Sequence, residues 1–174
     1  MKILTAAVIV LFAGSAAAQE HQHKHGQPYA GMQARAVKAL SDQQIADLRA
    51  GRGMGLALAA ELNGYPGPLH VLELADRLGL SSDQRRQVQR LYDAMKTEAI
   101  ATGEQLIDAE AALDRAFKDR SITAERLAEL STAIGRHQGA LRAVHLKYHL
   151  TTAELLTADQ SRRYAELRGY SKDR

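Results

Sequence analysis

The 174-residue sequence has no cysteine and no tryptophan, only two phenylalanines and only three prolines. Without cysteine there is no disulfide to staple the fold, no thiolate nucleophile or metal ligand, and no lipid-attachment residue. Few aromatics against abundant Ala and Leu argue against a sandwich or a doubly wound sheet and for close-packed helices with a thin core. Beyond the first 18 residues no apolar run approaches the roughly 20 needed to cross a bilayer. The 23 basic and 20 acidic side chains are interspersed, so nucleic acid meets no basic block. No His-Glu-x-x-His motif is present, and Gly51-Arg52-Gly53-Met54-Gly55 follows no strand, so it is not a dinucleotide loop. The chain reads as non-enzymatic and without an organic cofactor.

What is present begins with Lys2, an apolar run from Ile3 to Ala13, and the small residues Ala16-Ala17-Ala18. That is the layout of a secretory signal cut near Ala18. It predicts an exported, periplasmic protein that does not span the membrane. Residues 19–40 are expected to form a mobile arm, in which Gln19 to Gln27 carries no apolar side chain and His21, His23 and His25 alternate. A histidine tract of this kind is a compositional metal signal, with a plain solvated tail as the alternative. A cut after Ala18 would make His21 the third residue. Its imidazole, the free amine and two amides would then suit square-planar Cu(II) or Ni(II).

From residue 41 to 170 the pattern is helical throughout, with 171–174 as a tail. Ser41-Asp42-Gln43-Gln44 is a capping box, and Ile45, Leu48, Leu56 and Leu62 follow it. Gly51, Gly53 and Gly55 predict a weak or bent segment, or one pressed against another backbone. Asn63-Gly64 and Tyr65-Pro66-Gly67-Pro68 end this helix, and a short one is expected from Leu69 to Leu78. Ser81 caps a long helix running to about Asp119, with Tyr92, Ala99, Leu106 and Leu113 in one row and Met95, Thr102, Ala109 and Ala116 in the next. At 1.5 Å per residue it is about 54 Å long. After the turn at Ser121-Ile122-Thr123, a second long helix presents Leu127, Leu130, Ile134, His137, Leu141, Val144, Tyr148 and Leu155. Thr157 opens a last short helix. The fold class is therefore all-α, a hooked hairpin of four to five helices around two long antiparallel ones. Two helices cannot cover both of each other's faces, so the remaining apolar surface predicts a homodimer or a client-binding face.

Two boxes of the form Leu-(Thr/Ser)-x-x-Gln stand at the feet of this hairpin, Leu80, Ser81 and Gln84 in the first, Leu156, Thr157 and Gln160 in the second. With the export signal and the hairpin layout, they make residues from about Ser41 to Tyr170 resemble the Spy and CpxP family of periplasmic stress proteins, with its metal-sensing branch typified by CnrX. The second box matches the family pattern in full; the first has Ser81 in place of Thr. The resemblance implies a dimeric hooked hairpin with a concave face. Some relatives are ATP-independent chaperones of unfolded envelope proteins. Others bind zinc, nickel, cobalt or copper and report metal stress to an inner-membrane partner.

His145 and His149 lie four apart, so both imidazoles leave one helix face and can share an ion. The alternative is a pair of surface histidines without a ligand role. The sensing branch carries a comparable pair on its penultimate helix and adds ligands from its first helix. Here no histidine lies between Ser41 and Leu69, which leaves Glu61, Glu73, Met54 and His70 to complete a set. His70 is otherwise a surface or capping residue, and His137, on the apolar row, reads as a hydrogen-bonded core histidine. Tyr92, Met95 and Tyr148 read as packing. The leading expectation is a periplasmic metal-binding protein of heavy-metal sensing, metal resistance or envelope stress, and the alternative is a chaperone of the Spy and CpxP type.

Overall fold

The computed structural model describes residues 28–170, so the expected signal segment, His21, His23, His25 and the tail 171–174 lie outside the described residues. Residues 28–30 form a turn belonging to a separate unit, and everything below concerns the unit that begins at Gly31. Its described residues are helical, without strands. After a 3-10 turn at Met32–Ala34 come α1 (Asp42–Arg49), α2 (Leu58–Glu61), α3 (Pro68–Glu73), α4 (Ser82–Lys118), α5 (Ala124–Leu155) and α6 (Ala158–Leu167).

The helix starts follow from their caps. Ser41, Ser81 and Thr157 each accept a hydrogen bond from the backbone N–H three residues on, while Gln44, Gln84 and Gln160 reach back to the cap's own N–H. Thr123 caps α5 with its hydroxyl alone. At the far end of α4, Arg120 takes a left-handed φ of 52° and Ser121 N–H bonds Ala116 C=O at 3.0 Å, which stops the helix and turns the chain.

α4 and α5 lie antiparallel: Gln84 reaches the Leu155 carbonyl at 2.8 Å, and Glu98 accepts from Lys147 at 2.8 Å and from the Tyr148 hydroxyl at 2.6 Å. The segments before α4 form the hook. The expected single helix beyond Ser41 is instead α1 and α2, because Gly51, Met54 and Gly55 all adopt left-handed φ and no α-helix runs through such residues. The expected close approach does occur. A Cβ at Gly51 would sit 3.0 Å from the Lys96 carbonyl, and one at Gly103 would sit 2.9 Å from the Leu48 carbonyl. α1 therefore rests directly on the α4 backbone. The helix expected over Leu69 to Leu78 ends earlier, at Glu73, and continues as tight turns closed by Gly79 with Leu80 N–H on Ala75 C=O at 3.0 Å.

Two apolar clusters hold the unit together. In one, Leu48 of α1 packs with Ala99, Leu106 and Ile107 of α4 and with Ile134 and Leu141 of α5; in the other, Val71, Ala75 and Leu78 meet Val88 and Tyr164 of α6. Val37 and Leu40 are buried in the first cluster, so packing starts upstream of Ser41. This corrects the boundary of an arm running to residue 40: two apolar residues three apart are enough to anchor its last turn.

The two boxes meet. The Gln84 side-chain amide donates to the Gln160 carbonyl oxygen at 2.8 Å, and Gln160 donates back at 3.1 Å. Each glutamine oxygen also receives its own cap's N–H, so the pair fastens the start of α4 to the start of α6. Leu80 is buried beneath it, and Leu156 packs against the same cluster.

Candidate metal centre

Between the two clusters the hook leaves a pocket of about 320 Å³, lined among others by His145 and His149 of α5, Met95 of α4, Met54, Glu61 and His70. His145 is only 2 % exposed and His149 8 %. They are therefore not the surface histidines that the alternative reading required. Helical spacing sends both rings to the pocket, and the hook covers them.

The two rings are held differently. His149 Nδ1 lies 2.7 Å from the Tyr65 carbonyl, and since a carbonyl only accepts, Nδ1 must carry the proton. In the neutral ring the lone pair is then on Nε2. An added Cβ at Gly67 would come within 2.7 Å of this nitrogen and 2.8 Å of Cε1, so glycine there leaves room for the ring. His145 makes no such bond, and its Nε2 is fully buried without a hydrogen-bond partner among the described residues. Burial, then the neighbouring His149 charge, push the His145 pKa down, so its imidazole is neutral at neutral pH and retains a lone pair. A buried polar atom left without a partner costs about 1–3 kcal/mol, which a bound ion or other ligand would relieve.

Glu61 is 6 % exposed and is the polar hub beside the pair. Its Oε1 accepts from the Tyr164 hydroxyl and from Tyr170 at 3.2 Å, with His70 Nδ1 at 3.3 Å and Arg168 Nε at 3.6 Å; its Oε2 accepts from Gly67 N–H at 3.2 Å and lies 3.6 Å from His149 Nδ1. Burial alone would raise its pKa. Hydrogen bonds from His70 and Tyr164, the His70 charge and the Gly67 N–H outweigh burial and hold it at about 2. Burial and Glu61 together push the Tyr164 hydroxyl far up, so it stays a donor. Glu61 is thus an ionised carboxylate whose oxygens are already committed to donors.

The other sequence candidates separate clearly. His70 joins the pocket through Glu61, with its side chain about one third exposed (35 %). Glu73 is exposed and does not line the pocket. His137 is half-buried without a hydrogen bond, so it is not the bonded core histidine its seam position predicted. Among the described residues, no three His, Cys, Asp or Glu side chains converge closely enough to enclose an ion. Besides Glu61 and His70, the pocket lining carries the imidazoles of His145 and His149 and the thioethers of Met54 and Met95.

Sequence reasoning missed Tyr65, Gly67, Tyr164, Arg168 and Tyr170. Tyr65-Pro66-Gly67-Pro68 reads in sequence only as a helix stop, yet a glycine between two prolines in a rigid turn signals a close neighbour, here His149. The residues of α6 carried no local signal, because Tyr164 finds Glu61 only through the tertiary fold. The chain matches no protein-family model, no curated protein and no solved structure.

Proposed function

We propose that the protein is a non-enzymatic, exported metal-binding protein that takes one transition-metal ion at His145 and His149 and serves heavy-metal sensing, metal resistance or envelope stress. The observation that carries this reading is the buried, partner-free Nε2 of His145 beside a second imidazole whose tautomer and orientation are fixed by the Tyr65 carbonyl. Fixing the distal nitrogen of a ligand histidine to a carbonyl is how protein metal sites orient imidazole. Glu61 acts by anchoring: it ties α2, the Gly67 turn, His70 and α6 around the pair. Zinc, nickel, cobalt and copper all accept imidazole, and the resemblance to the Spy and CpxP family and its sensing branch is in keeping with a homodimer signalling to an inner-membrane partner. The test is calorimetric titration of the full chain carrying serine at positions 21, 23 and 25. One ion per chain, lost when His145 and His149 are both changed to alanine, is the expected result; titration without a binding heat in the parent would end the proposal.

A second reading, an ATP-independent chaperone for unfolded envelope proteins, draws on one observation. Leu58, Leu62, Tyr65 and Leu69, on the hook around the pocket, are all 40 % exposed or more. Clustered exposed apolar side chains mark interaction surfaces. Suppression of client aggregation at equimolar dose, lost on changing Leu58 and Leu62 to serine, is the outcome this reading expects.

A further inference from the structure

We propose that the pocket selects a soft monovalent cation, Cu(I) or its chemical analogue Ag(I), held by His145 and His149 together with the thioethers of Met54 and Met95. The inference rests on the metal-binding reading above and narrows it to a class of ion.

Two observations converge on this choice. The first is the kind of donor on the pocket lining. A small divalent ion such as zinc is ordinarily closed by four ligands drawn from thiolate, imidazole and carboxylate. The described residues bring no three such side chains together, and the one nearby carboxylate, Glu61, spends its oxygens on Tyr164, Tyr170, Gly67 and His70. What remains is imidazole nitrogen and thioether sulfur, and soft thioether donors favour Cu(I) over borderline and hard divalent ions.

The second is charge. Imidazole and thioether ligate as neutral donors, and Glu61 is already faced by Arg168, which lines the same pocket. An ion bound here therefore gains no net negative charge from its surroundings. Desolvation cost grows with the square of the ion's charge, so a dication pays about four times the penalty of a monocation in such a site.

Both methionines are placed by the fold rather than by local preference. Met95 is buried on α4 at 7 % exposure, facing the hook. Met54 has a φ of 43°, a left-handed conformation that side-chain-bearing residues seldom adopt, and it stands between Gly53 and Gly55 where a third glycine would relieve the strain. Met54 is 43 % exposed on the pocket lining, and strained backbone of this kind clusters at ligand sites. A Cβ at Gly53 would lie 3.7 Å from His145 Nδ1, so this loop runs directly over the histidine.

The experiment uses the full chain carrying His21→Ser, His23→Ser and His25→Ser. Cu(I) affinity is measured anaerobically against a bicinchoninate competitor, and Ag(I) and Zn(II) affinities are measured by calorimetry. Cu(I) and Ag(I) are expected to bind one per chain, at least about 100-fold tighter than Zn(II). Changing Met54 and Met95 to leucine, which conserves volume, should weaken both by about tenfold or more and leave Zn(II) within about a factor of two. On adding Ag(I), the Met54 and Met95 methyl carbon resonances should shift while that of Met32 does not. Zn(II) binding as tight as Cu(I), or a leucine variant that holds Cu(I) like the parent, would overturn the soft-cation assignment and leave metal binding at the two histidines standing. No ion at His145 and His149 under any condition would remove both.

Discussion

Glu61 shows most clearly how single residues set this molecule's properties. It is a buried carboxylate that joins the Gly67 turn, His70 of α3 and three residues at the C-terminal end. Removing it by Glu61→Ala leaves two tyrosine hydroxyls and a backbone N–H without their acceptor. The expected loss is about 2–4 kcal/mol, read from urea unfolding. Because its folded pKa is held near 2, against an ordinary 4.5, its contribution is complete above pH 4.5 and is lost as the pH falls from there through about 2. Unfolding midpoints measured down through that window should therefore fall more steeply for the parent than for Glu61→Gln. Gly67 offers a complementary test. Its φ of −81° is open to any residue, so Gly67→Ala adds only a Cβ, aimed 2.7 Å from His149 Nε2. Turning that ring away should break its bond to Tyr65, cost about 1–3 kcal/mol and lower metal affinity about tenfold or more.

Among the helices, the sequence was legible where one local rule acted alone. The three capping boxes and the Thr123 cap start helices where their side chains predict, and the rows through Ala99, Leu106, Ile134 and Leu141 do form the hairpin seam. Legibility failed where tertiary packing overrode local pattern. Gly51, Gly53 and Gly55 predicted a weak or bent helix between Ile45 and Leu62, but not that left-handed φ at Gly51, Met54 and Gly55 would split it in two. Gly103 has nothing in its own surroundings on α4 to mark it as the seat of α1. Gly103→Ala would drive a Cβ into the Leu48 carbonyl, which cannot rotate aside; a loss of about 1–3 kcal/mol in chemical unfolding is expected, although alanine is the better helix former. The histidine pair was legible from its spacing; its burial was not, since the hook that covers it comes from residues more than 70 positions away. The Gln84–Gln160 pair makes the boxes a clasp between elements as well as helix starts. A double-mutant cycle with alanine at both positions should return a coupling of about 0.5–3 kcal/mol.

Across the unit that begins at Gly31, a long antiparallel hairpin has upstream segments that fold back to enclose two imidazoles, with α6 secured to the same pocket through Glu61. An ion in that pocket would thus sit where α2, the Gly67 turn, α3 and α6 converge on α4 and α5, which is the placement a sensor needs if binding is to be felt across the fold. The central claim is that His145 and His149 act together as ligands. It is tested most directly by long-range proton–nitrogen NMR of the histidine rings in the full chain, with and without one equivalent of Ag(I). Before addition, His149 should show its proton on Nδ1. After it, the ring nitrogens of His145 and His149 should shift together, with His137 unchanged. A shift confined to His21, His23 and His25, with the α5 pair unmoved, would contradict the account.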